Sequence, residues 1–210
     1  MTPADDGAVR IRRARPSDRD AIYDVCLRTG DAGGDASGIV DDRDLFGDVW
    51  VGAYLALRPD LVFVAEDRVG VAGYIVGTDD TAGFAATCEA QWWPPLRARY
   101  GDAPDGGELT PTEVLRRHVH HPPPAPPPDV LVDHPAHLHV NLLPRAQGHG
   151  AGRRLLETLF DALIDVPGVH LGVHPRNARA ASFYLHHGFV PVGPARGPGQ
   201  GWLLGRRLPR

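Results

Sequence analysis

The segment from His137 to Ile164 constrains the fold more than any other part of the chain. His137-Leu-His-Val-Asn-Leu-Leu143 has the pattern of a strand, and Pro144 to Gly152 is a tight loop with glycine at 148, 150 and 152. Leu155, Leu156, Leu159, Phe160, Leu163 and Ile164 then form one apolar stripe, which predicts an amphipathic helix stopped by Pro167-Gly168. Glycines just before a helix leave several backbone N–H groups free to point into one concavity at its positive end, which makes a phosphate cradle. A side chain there would block close approach, and some of these positions take positive φ. A P-loop needs Gly-Lys-[Ser/Thr], and the chain contains no lysine. A dinucleotide turn needs Gly-x-Gly-x-x-Gly, but position 153 is Arg and the next strand ends at His174 rather than at an acidic residue. A third pattern, Gln/Arg-x-x-Gly-x-Gly/Ala, is met by Gln147, Gly150 and Gly152.

The missing lysine also removes every chemistry that uses a lysine nucleophile or Schiff base. All 22 basic residues are arginine, against 26 acidic residues, so the formal charge of −4 argues against nucleic acid as a partner. Two distant cysteines, Cys26 and Cys88, suit a reduced compartment. Met1 to Pro16 has no apolar leader core, and no long apolar run occurs, so the expectation is a soluble cytoplasmic protein without a membrane partner. The 210 residues predict a single domain, at about 150 residues per domain.

Upstream, Val9–Arg13 alternates as a strand, and Pro16-Ser-Asp opens a helix carrying Ile22, Val25, Cys26 and Thr29. A Gly/Asp loop spans 30–38, and a second helix covers Asp44 to Leu57. Leu61–Ala65 and Val71–Val76 predict a hairpin around Glu66–Gly70. Residues 81–130 predict a helical, proline-rich insert: a helix ending near Tyr100, another behind the capping box Thr110-Pro-Thr-Glu113, and the stiff run Pro122–Pro128. Downstream come a strand over Val169–Val173, a helix from Asn177 to His187 ended by Gly188, a strand from Phe189, and an edge at Trp202–Leu204. The order predicts an α/β domain with a mixed sheet.

The glycine loop, together with Asn177-Ala-Arg-Ala-Ala-Ser-Phe-Tyr-Leu-His-His-Gly-Phe189, resembles the GNAT superfamily of acetyl-coenzyme A dependent N-acetyltransferases. The second segment is similar to that family's Asn-x-x-Ala-x-x-(Phe)-Tyr-x-x-x-Gly-Phe helix. The stretches 29–36, 48–67 and 73–78, with Trp92-Trp-Pro94, resemble the acetyltransferase-like carboxy-terminal domain of O-GlcNAcase and its free-standing bacterial relatives, over nearly the whole chain. The resemblance implies a GNAT fold: a mostly antiparallel mixed sheet of six or seven strands flanked by helices, a helical insert before the fourth strand, and an acetyl-CoA binding core over 137–192. It also implies that the backbone of Leu142 and Leu143 pairs with the pantetheine arm beside a β-bulge, where the fourth strand splays from the fifth. Amides of Gly148, His149, Gly150, Ala151, Gly152 and Arg153 would hold the pyrophosphate, with Gln147 in the motif. Asn177 would reach the pantetheine, Ala180 and Phe183 would line that helix, and Tyr184 would protonate the departing thiolate. The implied reaction is direct transfer from acetyl-CoA to an amine, with no metal. The animal members of the narrower family lack the glycine cradle, which keeps a second reading open, an acetyl-CoA binding or interaction module.

His137, His139 and Asn141 share one strand face by period two. His139 is either a base facing the cleft or a histidine packed under a loop, and Asn141 would orient water or substrate. Asp31 and Asp35, with Tyr54, Trp92 and Trp93, are candidates for the acceptor pocket or else loop acids and a core cluster. The histidines at 118, 120, 121, 134, 137 and 139 match no zinc spacing, so no metal site is expected. The acceptor is a small-molecule or peptide amine, and the family implies a homodimer as the protein partner.

Overall fold

The computed structural model describes residues 9–195 and 201–209, so the leaderless reading of the first eight residues lies outside it. Among the described residues seven strands form one sheet: β1 (Arg10–Arg13), β2 (Val62–Asp67), β3 (Gly70–Thr78), β4 (Ala136–Leu142), β5 (Gly168–Val173), β6 (Val190–Pro194) and β7 (Trp202–Arg207). Their order is β1-β2-β3-β4-β5-β7-β6, and only β4 and β5 are parallel neighbours. The hairpin turn is shorter than expected, because β2 and β3 run on until only Arg68 and Val69 remain between them. Asp67 caps that turn by accepting from the amides of Val69 and Gly70.

Alternation divides the core. Val62, Val64, Tyr74 and Val76 face α1 (Arg19–Leu27), α2 (Arg43–Gly47) and α3 (Ala53–Leu57), whereas Phe63, Ala65, Ile75 and Leu138 face α8 (Ala151–Ala162) and α9 (Ala178–His186). Each leucine of the α8 stripe that is buried contributes about 1.5–3 kcal/mol. Ile164 does not: α8 stops at Ala162, Asp165 turns the chain at φ 57°, and Ile164 is left 76% exposed.

The helix expected over 44–57 is helical throughout, but its middle, Asp48–Gly52, is a π-helical turn. Glycine allows the close approach of its neighbours: a Cβ on Gly47 would lie 2.0 Å from the Tyr23 ring, and one on Gly52 would lie 2.5 Å from Trp92. The insert begins with α4 (Thr81–Thr87), a π-helical turn (Cys88–Trp92) and α5 (Trp93–Arg99). It continues with α6 (Pro111–His120), whose capping box is formed as read, with Thr110 N donating to Glu113 at 2.8 Å. A short helix, α7 (Pro128–Asp133), follows the prolines where a plain extended connector was expected; its first residue is Pro128, and proline is well tolerated there.

Candidate active site

β4 and β5 are in register only at Ala136↔Val169 and His137↔His170, after which they diverge. β4 keeps to β3 as far as Gly73↔Leu142, and β5 keeps to β7 as far as Val173↔Trp202, so a V-shaped cleft opens between them. The β3–β4 register is continuous, so the gap opens without the expected bulge. Leu143 N donates to Ala72 O at 2.8 Å and Leu143 O accepts from Ala146 N at 2.9 Å, while its side chain is 2% exposed. Leu143 therefore has no free backbone group to offer the cleft, contrary to expectation. Alternation along β4 instead aims the amides of Val140 and Leu142 away from β3 and into the gap. Gln147 Nε2 donates to Leu142 O at 2.6 Å and fixes the loop against the strand end.

Gly148 and Gly150 are left-handed, at φ 82° and 73°, and nothing lies within 4 Å of a Cβ built on either. They form an open concavity, with His149 exposed between them. Gly150 is the N-cap of α8 and provides no side chain, so the first amides of the helix, from Ala151 onward, have no side-chain cap. Gly152 belongs to the helix rather than to the loop: its Cβ would stand 3.0 Å from the Phe183 ring, so glycine there sets the approach of α8 to α9. The Arg153 side chain is paired with Glu157 at 2.8 Å.

Asn177 caps α9, its Oδ1 accepting from Ala180 N at 3.0 Å, so the side chain expected to reach along the cleft is already engaged at one end. Phe183 and Ala180 are half-buried. Tyr184 is buried against Phe183 and Phe189, and burial raises its phenol well above the usual range, which keeps the proton on. Among the described residues its hydroxyl has no hydrogen-bond partner, nor is it among the sealed, unpaired polar atoms.

On the other face of β4, Asn141 donates to Thr29 Oγ1 at 2.6 Å at the end of α1. His137 lies 2.5 Å from the Tyr54 hydroxyl through Nε2 and 2.8 Å from Thr81 Oγ1 through Nδ1. The Thr81 hydroxyl donates to Pro135 O at 2.6 Å, so Nδ1 of His137 carries the proton and Nε2 accepts from Tyr54. Neither ring nitrogen of His139 has a hydrogen-bond partner among the described residues, and burial, with His170 nearby, pulls its pKa down to about 4. His170 was not singled out in the sequence. It sits beside His137, rings 5.7 Å apart, and the one available signal was a lone polar residue in an apolar strand.

The acceptor candidates part company. Tyr54 stacks on Phe84 at 4.6 Å beside the histidines, but its hydroxyl is taken. Trp93 is buried against His118 of α6, and Trp92 donates to Asp48 O at 3.0 Å, so both are core. Asp35 is turned onto Ser37. Asp31 pairs with Arg176 at 2.5 Å, and Gly33, at φ 93°, brings its Cα so near Asn177 that a Cβ would be 3.1 Å from Nδ2. The loop after α1 is thus a strap across the V, with one foot on Asn141 of β4 and the other on the turn after β5. Among the described residues no three His, Cys, Asp or Glu side chains are grouped to hold a metal ion, and no helix is long and apolar enough to cross a membrane.

The sequence and fold are similar to those of known proteins. The model of the acetyltransferase (GNAT) domain matches residues 129–191, which span β4, the glycine loop, α8, β5 and α9. The crystal structure of SsHAT superposes with a TM-score of 0.85 at 36% identity, covering 97% of this chain and all of that one. The chain belongs to the GNAT acetyltransferase family. This GNAT protein is also 27% identical to rat (Rattus norvegicus) protein O-GlcNAcase over 203 residues, which is 94% of the chain but 22% of that enzyme. The chain thus spans about a fifth of that curated relative. The yncA protein of Salmonella typhimurium, solved with its cofactor acetyl-CoA, shares the fold at a TM-score of 0.54 and 18% identity over 97% of this chain and 95% of its own.

Proposed function

We propose that this protein binds acetyl-CoA in the V between β4 and β5 and passes the acetyl group directly to an amine, with residues 1–210 acting as one cytoplasmic catalytic unit around an inserted segment 81–130. The observation that carries the proposal is the open cradle at Gly148 and Gly150, set at the end of a splayed strand edge. A pyrophosphate is the size and charge for amides at a helix start, and an extended pantetheine arm can add to β4 through the Val140 and Leu142 amides. The amine nitrogen forms the new C–N bond, and the oxygen that becomes negative is met by a β4 amide. His139, directly or through water, takes the proton the nitrogen sheds, and the C–S bond breaks. The thiolate takes a proton from Tyr184, whose environment holds it as the phenol. Both cysteines are buried, their thiols pushed up to about 12 and about 11, which supports direct transfer over an acyl-cysteine route.

Titrating acetyl-CoA calorimetrically and then following thiol release tests the two halves separately. In Tyr184→Phe, kcat falls by about 100-fold with the acetyl-CoA Kd unchanged, the scale of one general acid; unchanged turnover would remove Tyr184 from the reaction. Binding without thiol release to any small amine or peptide would place the protein among acetyl-CoA binding modules instead. The strap makes a smaller contribution. Its Asp31–Arg176 pair is exposed, and such pairs contribute about 0.2–1 kcal/mol, so Arg176→Ala raises the acetyl-CoA KM by no more than about fivefold and leaves kcat intact. A loss confined to kcat would show instead that Arg176 acts on the chemistry.

A further inference from the structure

The groups around His139 are uncharged. His137 is bonded to Tyr54 and Thr81, and His170 Nδ1 lies 2.8 Å from His134 O. Behind Tyr54 the Cys88 thiol is held protonated, its pKa at about 11, and Asn141 and Thr29 close the α1 side. Among the described residues the carboxylates of the surrounding elements already have partners, an arginine for some and a neutral hydroxyl or amide, which leaves the charge in place, for the others. Asp31 is on Arg176, Asp35 on Ser37, Asp48 on the hydroxyls of Tyr23 and Tyr100, and Asp79 on Arg58. Asp80 caps α4 through Gly83 N, and Glu89 is on Arg97.

An alkylammonium brought against His139 would shed its water among neutral side chains and, among the described residues, find no carboxylate free to pair with it, which is the expensive case for a buried ion. An amine whose lone pair is shared with an aromatic ring stays uncharged at neutral pH and avoids that cost. We propose that the acetyl acceptor is an arylamine, seated with its ring against the aromatic wall begun by Tyr54 and Phe84 and its nitrogen at His139. The inference rests on the acetyl-CoA reading above.

The proton balance agrees. The arylamine nitrogen attacks as the free base, its C–N bond forms, and the nitrogen becomes cationic and strongly acidic. His139 takes that proton while the thiolate leaves with one from Tyr184. A free alkylammonium near pKa 10.4 is a different matter, since a base at about 4 lies about six powers of ten below what deprotonating it requires.

Two amines with the same ring decide it: 4-methoxyaniline, and 4-methoxybenzylamine, which adds one methylene and a positive charge. Thiol release from acetyl-CoA at pH 7, corrected for the uncatalysed reaction, is expected to give a kcat/KM at least about 100-fold higher for the aniline. His139→Gln lowers that rate while the calorimetric Kd for acetyl-CoA stays the same. Equal or faster reaction of the benzylamine overturns the proposal. So does failure of both amines in a protein that binds acetyl-CoA normally, with the cosubstrate reading left standing. No binding of acetyl-CoA would remove both.

Discussion

Gly150→Trp abolishes acetyl-CoA binding, with Kd rising by more than about 100-fold. The position is open, with no atom within 4 Å of a Cβ, so an indole enters the cradle rather than the core. Hydrogen bonds to a charged group contribute about 1.5–3 kcal/mol each, so losing two from the pyrophosphate suffices for that loss. The substitution also strains a residue at φ 73°. Gly107→Trp, at φ 81° and equally open but in the insert, carries the same strain and controls for it. Calorimetry on both variants, with circular dichroism to show that each is folded, reads the result. Wild-type affinity in Gly150→Trp would mean the pyrophosphate is held elsewhere.

Asp48→Ala lowers the melting temperature by about 4–24 °C. Asp48 is 3% exposed and accepts from Tyr23 at 2.7 Å and Tyr100 at 3.0 Å, joining α1, the π-helical turn and the insert. Removing it leaves two tyrosine hydroxyls without their acceptor at about 1–3 kcal/mol each, and a chain of this size loses about 2–4 °C per kcal/mol. Burial and the Asp48 charge both push the two phenols upward, so they remain donors at neutral pH. Asp48→Asn keeps an acceptor and should lose less. A shift below about 2 °C in differential scanning calorimetry for Asp48→Ala would show that the elements are held together elsewhere.

The strand, glycine loop and stripe around 137–163 were legible because each depends on local periodicity and on a residue type that only one backbone geometry favours. The capping box at Thr110 was legible for the same reason. The parity of β4 was not: a strand pattern shows that neighbours alternate, but only the Leu143–Ala72 bond shows which amides face the gap. Nor was the use of the acids. Asp31 finds Arg176 145 positions away, and nothing near Asp31 in the chain signals it. Asn177 was recognised in its motif, yet its capping of α9 competes with the longer reach the motif implied. The two π-helical turns were hidden because an apolar spacing of three and four does not reveal one extra residue in a turn.

The insert leaves the sheet and returns to it at one point. Thr81 N and Oγ1 both donate to Pro135 O, at 2.9 and 2.6 Å, and Thr78 stands opposite His137 in the next rung. Everything from 82 to 134 hangs from this neck, and because closure entropy grows only with the logarithm of length, its size can change at little cost. A graft therefore has to match the neck and the face that covers Asp48, while the strands and the glycine cradle are left as they are. The insert can then be exchanged as a single contiguous cassette, with the strands and the glycine loop untouched.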